Sequence, residues 1–216
     1  MKRQIITSAD GSPTIYVEEL DEHYHSTFGA RNESEHVFIT AGLDYFRKEE
    51  LNILEIGFGT GLNAYLTVNR KKEGLTIRYY AIEKYPLLRD EWKQLNYERD
   101  EDSHPEVFHD LHECSWECWN TILPDFKIYK SAADLNNFSP PPGQDLIYFD
   151  AFAPDVQPGL WSHAIFEKLY SSLNPGGILV TYSVKGSVRR TMTDCGFRTE
   201  KLPGPRGKRH MLRACK

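Results

Sequence analysis

Cysteine is scarce in this chain of 216 residues: there are four, Cys114, Cys118, Cys195 and Cys215. Cys114 and Cys118 are spaced to share a helix face, but no second pair at metal-ligand spacing accompanies them. The expectation is therefore reduced thiols in a cytoplasmic protein, with no metal and no disulfide framework. No run of 18 apolar residues occurs, so no membrane-spanning helix is expected. The opening residues, MKRQIITSADG, lack the apolar stretch of a secretory leader. Internal repeats and low-complexity tracts are missing too. What is present is the make-up of a folded chain, 40% hydrophobic and 12% aromatic, long enough for one domain (1–216) with a substantial core.

An overall excess of positive charge is also lacking, since the net charge is −5. The sum conceals an asymmetry. Residues 185–216 hold ten basic side chains against Asp194 and Glu200, a local +8 that leaves −13 on the preceding 184 residues. Attraction to phosphate depends on the local patch, so this end suits a polyanion. A solvated surface accounts for the charge equally well.

Residues 51–64, LNILEIGFGTGLNA, organise the rest. Ile53, Leu54 and Ile56 make a buried strand of a chain that then enters Gly57-Phe58-Gly59-Thr60-Gly61 and a helix. Strand, glycine turn and helix N-terminus bring free backbone N–H groups to a surface that a ligand can approach closely. A dinucleotide fingerprint needs its third glycine at position 62, which is Leu62. Glu55 would also repel a pyrophosphate. The E-x-G-x-G-x-G pattern resembles motif I of the class I S-adenosylmethionine-dependent methyltransferases. That resemblance implies a Rossmann-like α/β fold with a mostly parallel seven-stranded sheet, and S-adenosyl-L-methionine as cofactor.

Around this stretch the elements alternate as in a parallel sheet. An N-terminal β-hairpin (Ile5-Ile6-Thr7 and Thr14-Ile15-Tyr16-Val17 about Asp10-Gly11) and a helix from an N-cap at Ser34 towards Phe46 form an appendage, residues 1–48. Strand 51–56, helix 62–70 and strand 76–82 follow, the last ending at Glu83. That acid stands 22 positions after Gly61, near the offset of roughly 20 at which a carboxylate meets ribose hydroxyls. Residues 86–124 read as a helical insertion broken at Asp100-Glu101-Asp102-Ser103-His104-Pro105, suited to line a groove or to cap a sheet edge. Strand 126–129 leads to Asp134, which in the methyltransferase pattern accepts a hydrogen bond from the adenine amino group, or else caps a helix. Strand 145–149 ends at Asp150, on the edge that carries the glycine turn and Glu83. A helix over 162–173, a break at Asn174-Pro175-Gly176-Gly177, strand 178–182, helix 187–194 and an antiparallel pair, 197–202 and 209–214, complete the chain.

Beyond Asp150 the resemblance narrows. Tyr148-Phe149-Asp150-Ala151-Phe152-Ala153-Pro154, with Pro158, Leu160 and Trp161, is similar to the FLDGFAP…P-x-x-W motif of the methyltransferase domain of the MnmC family. Gly29-Ala30, Glu33-Ser34 and His36-Val37-Phe38 resemble its N-terminal signature, and Gly176-Gly177, Thr181-Tyr182-Ser183, Val188-Arg189-Arg190, Gly196-Phe197 and Gly204-Pro205 through Met211 its closing motifs. Departures are Ala151, where glycine is common, and a long insertion. The resemblance implies N-methylation of the 5-aminomethyl group on the modified wobble uridine of tRNA. It also implies cofactor contacts at Glu55, Gly57, Phe58, Gly59, Gly61, Asn63, Glu83, Lys84, Asp134 and Asp150. Asp150 is the candidate that orients the acceptor amine and takes its proton. Phe152, Pro154, Trp161 and Tyr182 would grip a splayed anticodon base, although core packing explains any one aromatic as well. Arg189, Arg190, Arg206, Lys208 and Arg209 would meet tRNA phosphates. No second nucleotide fingerprint follows, so a separate flavin-dependent or GTPase-type enzyme is expected to supply the aminomethyl precursor. Two other readings stay open: a methyl- or aminopropyltransferase for a small amine, since Asp150 followed by Asp155 loosely resembles polyamine synthases, and a non-catalytic RNA-binding protein of the same fold.

Overall fold

The structure, a computed structural model, describes residues 2–99 and 101–216. Met1 of the opening stretch and Asp100 of the polar break lie outside the described residues. Strands β1 (Arg3–Thr7) and β2 (Pro13–Val17) form the expected antiparallel hairpin, and β3 (Glu22–His23) pairs with β2 as a third strand. Two residues are too few to show an alternation, so β3 left no trace in the sequence.

Helix α1 (Ala30–Ser34) continues as a π-helical stretch (Glu35–Thr40) and a short 3-10 turn (Leu43–Tyr45). Ser34 is not the N-cap. It lies inside the helical run, fully buried, and its Oγ has no hydrogen-bond partner. The helix starts five residues earlier, with Gly29 at the N-cap position, because the hairpin caps it. Ala30 N–H donates to Ser8 Oγ (3.1 Å), Arg31 N–H to Ser12 Oγ (3.1 Å) and Asn32 N–H to Asp10 Oδ2 (3.0 Å). The free N–H groups of the first turn are thus satisfied from about 20 residues away, where a local reading looks for a neighbouring Ser.

The main sheet is built from β4 (Glu50–Ile56), α2 (Leu62–Arg70), β5 (Thr76–Ile82), α3 (Arg89–Trp92), α4 (Val107–Glu113), β6 (Trp119–Leu123), β7 (Phe126–Ser131), β8 (Gln144–Phe149), α5 (His163–Ser172), β9 (Leu173–Thr181), α6 (Gly186–Asp194), β10 (Arg198–Pro203) and β11 (His210–Cys215). Eight strands lie in the order β10-β11-β9-β8-β4-β5-β7-β6, parallel from β9 to β7 and antiparallel at both edges. Seven were expected. The eighth is β6, the end of the insertion read as helical: Pro124-Asp125 turns the chain so that Trp119 pairs with Tyr129. A second difference is at Asn174-Pro175-Gly176-Gly177, which sits within β9 and not before it, absorbed by a register shift between Gln144 and Leu146 of the neighbouring strand.

Alternation along the strands divides the core into two layers. Ile53, Tyr79 and Tyr148 face α2, α4 and the helical run of the appendage, whereas Leu54, Ile147 and Phe149 face α5 and α6. The crossover from β4 leads to β5 on one side and the chain returns from β7 to β8 on the other, so a crevice opens beyond the carboxyl ends of β4 and β8.

Candidate active site

Gly57 occupies the mouth of that crevice at φ +89°, and a Cβ there would lie 2.5 Å from the carbonyl oxygen of Asp150. The close approach is fixed by Asp150 N–H donating to Ile56 O (3.0 Å) and by Gly57 N–H donating to Ile82 O (2.9 Å). Gly61, at φ +74°, leaves room for His112, whose Nε2–H donates to the carbonyl of Thr60 (3.0 Å). Burial keeps His112 neutral, its pKa pushed down to about 3. The fully buried Lys130 donates to the carbonyls of Leu111 (2.6 Å) and His112 (3.1 Å) at the end of α4, under the rings of Phe58 and Trp116. The insertion therefore underpins the glycine turn, and Phe58 both lines the crevice and anchors the turn to α4.

The crevice holds a cavity of about 270 Å³. Its walls include Gly57, Phe58, Gly59, Asn63, Glu83, Lys84, Asp134 and Asp150, so eight of the ten expected cofactor contacts converge. Glu83 accepts from Gly59 N–H (3.0 Å) and Tyr85 N–H (2.8 Å). Asp134 caps no helix. Its Oδ1 accepts from Asn136 N–H (3.0 Å) and Nδ2 (2.8 Å), and Lys84 Nζ lies 2.9 Å from Oδ2. The Asn136 N–H and then Lys84 hold it below the usual carboxylate range. Gly61 stands behind the turn, and Glu55 is fully buried, so neither faces the cavity.

Glu55 reaches the site through Asn63. Asn63 Nδ2 donates to Glu55 Oε1 (3.0 Å) and to Asp150 Oδ2 (2.8 Å), tying two carboxylates to one amide. Burial raises Glu55 well above its usual value. Burial also raises Asp150, to about 7, against the opposing Asn63 hydrogen bond. Glu55 Oε2 and Asn63 Oδ1 are buried without hydrogen-bond partners.

A second cavity, about 260 Å³, opens on the other side of Asp150 and shares Tyr24, His25, Ala151 and Phe152 with the first. Glu22, His23, Glu33, Tyr182 and Lys208 are also in its wall. Tyr182 O–H donates to Ala151 O (2.8 Å), and Lys208 Nζ stands 4.4 Å from the Tyr182 ring centre while ion-paired with Glu33. His25 is buried between Thr14 and Thr60, its pKa drawn down to about 4 by burial, so it is neutral. Tyr24, His25 and Glu33 carried no expected role. Glu33 lay within the N-terminal signature, but nothing in the linear pattern distinguishes an acid facing a cavity from one facing solvent.

Other expected residues lie elsewhere. Trp161 is 5% exposed, donates its Nε1–H to Phe152 O (2.8 Å) and packs on Phe149, so it supports the loop after β8 from the core and lines neither cavity. Pro154, Arg189, Arg190, Arg206 and Arg209 also line neither. Lys208, expected on a phosphate, points into the second cavity. No group of three or more His, Cys, Asp or Glu among the described residues is arranged to hold a metal ion, and no helix among them is long and apolar enough to cross a membrane.

Residues 126–216 match the model of a family described as S-adenosyl-L-methionine-dependent methyltransferase. Over these 91 of its 216 residues the chain is similar to that family, and its fold and cleft agree with it. More narrowly, it is similar to tRNA 5-methylaminomethyl-2-thiouridine biosynthesis bifunctional proteins MnmC. The protein from Cupriavidus metallidurans is 30% identical over 95% of this chain and 33% of the relative, and that from Leptospira interrogans 31% identical over 90% and 32%. The chain thus spans about a third of the length of these curated relatives. In fold it is similar to the crystal structure of MnmC2 from Aquifex aeolicus, with a TM-score of 0.82 at 22% identity, covering 99% of this chain and 70% of that one. Spermidine synthase from Thermotoga maritima shares the fold at a TM-score of 0.61 and 11% identity, over 99% of this chain and 68% of that one.

Proposed function

We propose that residues 1–216 act as one methyltransferase unit, with 1–48 and 86–124 as accessory segments, that methylates the 5-aminomethyl nitrogen of the modified wobble uridine in tRNA, in the cytoplasm. The observation that carries the reading is Asp150, a partly buried carboxylate shared by two cavities, one of them fringed by the glycine turn. The similarity to tRNA 5-methylaminomethyl-2-thiouridine biosynthesis proteins supplies the substrate class.

The first cavity fits S-adenosyl-L-methionine. Gly57 leaves a cradle that a Cβ would fill, Glu83 stands where ribose hydroxyls would be met, Asp134 lies at the far wall, and Asn63 offers a buried, unpartnered Oδ1. When bound, that group supplies an electrophilic methyl carbon next to a neutral leaving thioether. The chain's own work is on the acceptor side. An ammonium has no lone pair, so it must first lose a proton, and the Asp150 carboxylate is the base available at the junction. Asn63 holds Oδ2, leaving Oδ1 to orient the amine and accept that proton. Phe152 and Tyr182 offer ring faces for an unpaired base, and Arg189, Arg190, Arg206 and Arg209 offer cations for phosphates. A separate flavin-dependent or GTPase-type enzyme would supply the aminomethyl group. Aminopropyl transfer is less favoured, because Asp155, its second acid, is exposed and paired with Lys185 away from both cavities.

The test is incubation with labelled S-adenosyl-L-methionine and tRNA lacking the terminal methyl group, followed by nucleoside analysis. Label in the methylaminomethyl nucleoside is expected. Label elsewhere, or none, refutes the assignment.

A further inference from the structure

The second cavity carries a charge arrangement that the chemistry at Asp150 does not require. Glu33 is 7% exposed yet forms part of the wall of an open cavity. Its Oε2 accepts from Ser26 N–H (2.8 Å), a bond that a glutamine oxygen would accept as well, so the fold does not need the charge for that contact. Its Oε1 pairs with Lys208, whose side chain is 34% exposed and rests over Tyr182. The titratable groups facing the cavity are Glu22, Glu33 and Asp150 on the acidic side, and Lys208, His23 and the neutral His25. Acid is in excess over fixed cation, while Tyr24, Phe152 and Tyr182 supply flat apolar walls, the first two in an edge-to-face contact at 5.2 Å. A buried acid is costly unless a cation meets it, and here Lys208 supplies that cation from a partly exposed position, where a second cation can exchange with it.

We propose that Glu33 is the specificity-determining residue for the acceptor, a planar heterocycle bearing a single primary ammonium: Glu33 shares that ammonium with Asp150, and the ammonium competes with Lys208 for the Glu33 carboxylate. The assignment rests on Asp150 facing the acceptor. It deepens the functional reading by naming what selects the substrate: a positive primary amine is drawn in, and a neutral alcohol or a carboxylate at the same position is disfavoured.

The test uses the full chain and two isosteric probes, 5-aminomethyluracil and 5-hydroxymethyluracil, titrated by calorimetry at pH 7. The amine is expected to bind about tenfold more tightly than the alcohol. In Glu33→Gln the preference should fall to less than about threefold, with S-adenosyl-L-methionine affinity held within about twofold. Equal binding of the two probes, no binding of either, or a preference that survives Glu33→Gln overturns the proposal. Should Glu33→Gln lose donor binding through misfolding, Lys208→Met decides: removing the cation that competes with the ammonium for Glu33 should widen the amine preference, and an unchanged or narrower preference overturns the proposal. Amine discrimination without methyl transfer to tRNA would defeat the tRNA reading and leave the cavity assignment standing.

Discussion

Asp150 gathers most of the chemistry at the scale of single residues, and its environment yields two predictions of opposite sign. Its pKa of about 7 means that the base form accumulates only above neutrality, so kcat/KM should rise from pH 6 to pH 8 with a limb near 7. Asp150→Asn should lower methyl transfer by about 10²–10⁴-fold while donor binding persists. The same substitution should stabilise the fold. A folded-state pKa raised above the ordinary 3.8 means that the native state holds the proton more tightly than the unfolded chain. The stability contributed by this group is full below pH 4 and is lost as pH rises through 7. Asn cannot ionise, so thermal unfolding should show a gain of about 2 kcal/mol at pH 8 and little change at pH 4. That figure is about half the full conversion, because the carboxylate borders two open cavities. Gly57→Ala should do the reverse. A Cβ 2.5 Å from the Asp150 carbonyl, on a backbone at φ +89°, should cost about 1–3 kcal/mol and abolish calorimetric uptake of the donor.

Among the elements, the appendage and the insertion are joined by ion pairs, Arg3 with Glu91 and, fully buried, Arg31 with Asp102. Arg31 of α1 is 1% exposed and meets Asp102 of the insertion, donates to Tyr97 O (2.6 Å), and shares Glu35 with Arg70. Tyr65 of α2 donates to the same Asp102 (2.7 Å). Burial alone would raise Asp102, but Arg31 and Tyr65 hold it below its usual value, so it stays charged. Arg31→Met would leave Asp102 with the partly exposed Arg70 (3.2 Å) as its cation and should cost about 2–3 kcal/mol in denaturant unfolding, whereas Arg31→Met with Asp102→Leu should cost less than the single change. If the double variant proves the weaker of the two, the pair is not what links these segments. The strands and helices of the βαβ region were readable almost to the residue because alternation and glycine stops are local. The start of α1 was not, because Ser8, Asp10 and Ser12 cap it from the hairpin.

Over the whole molecule, charge is segregated. The basic residues of 185–216 lie on α6, β10, β11 and the segments flanking them, at one edge of the sheet, and all but Lys208 line neither cavity. Binding of tRNA through that edge should weaken steeply between 50 and 200 mM salt. Replacing Arg189, Arg190 and Arg209 together with Ala should lower the slope of log K against log salt by about 2–3, at roughly 0.7–0.9 per phosphate contact. Donor binding should keep its affinity in the same buffers. A slope unchanged by the triple substitution would move the RNA to another face.

The sequence by itself determined the parallel sheet, the glycine turn and the acids Glu83, Asp134 and Asp150 at strand ends, because each depends on backbone sterics or on a side chain's place at the end of its own strand. Tertiary structure alone decided which of two aromatics is a wall and which is core: Tyr182 faces a cavity and Trp161, 21 positions earlier, does not. It also decided that Glu55 is linked to Asp150 through Asn63, that β6 extends the sheet, and that Glu33 and His25 line a cavity with Asp150. These are meetings of residues up to 125 positions apart, and what brings them together is the packing of the appendage over the sheet, which no short stretch of chain encodes.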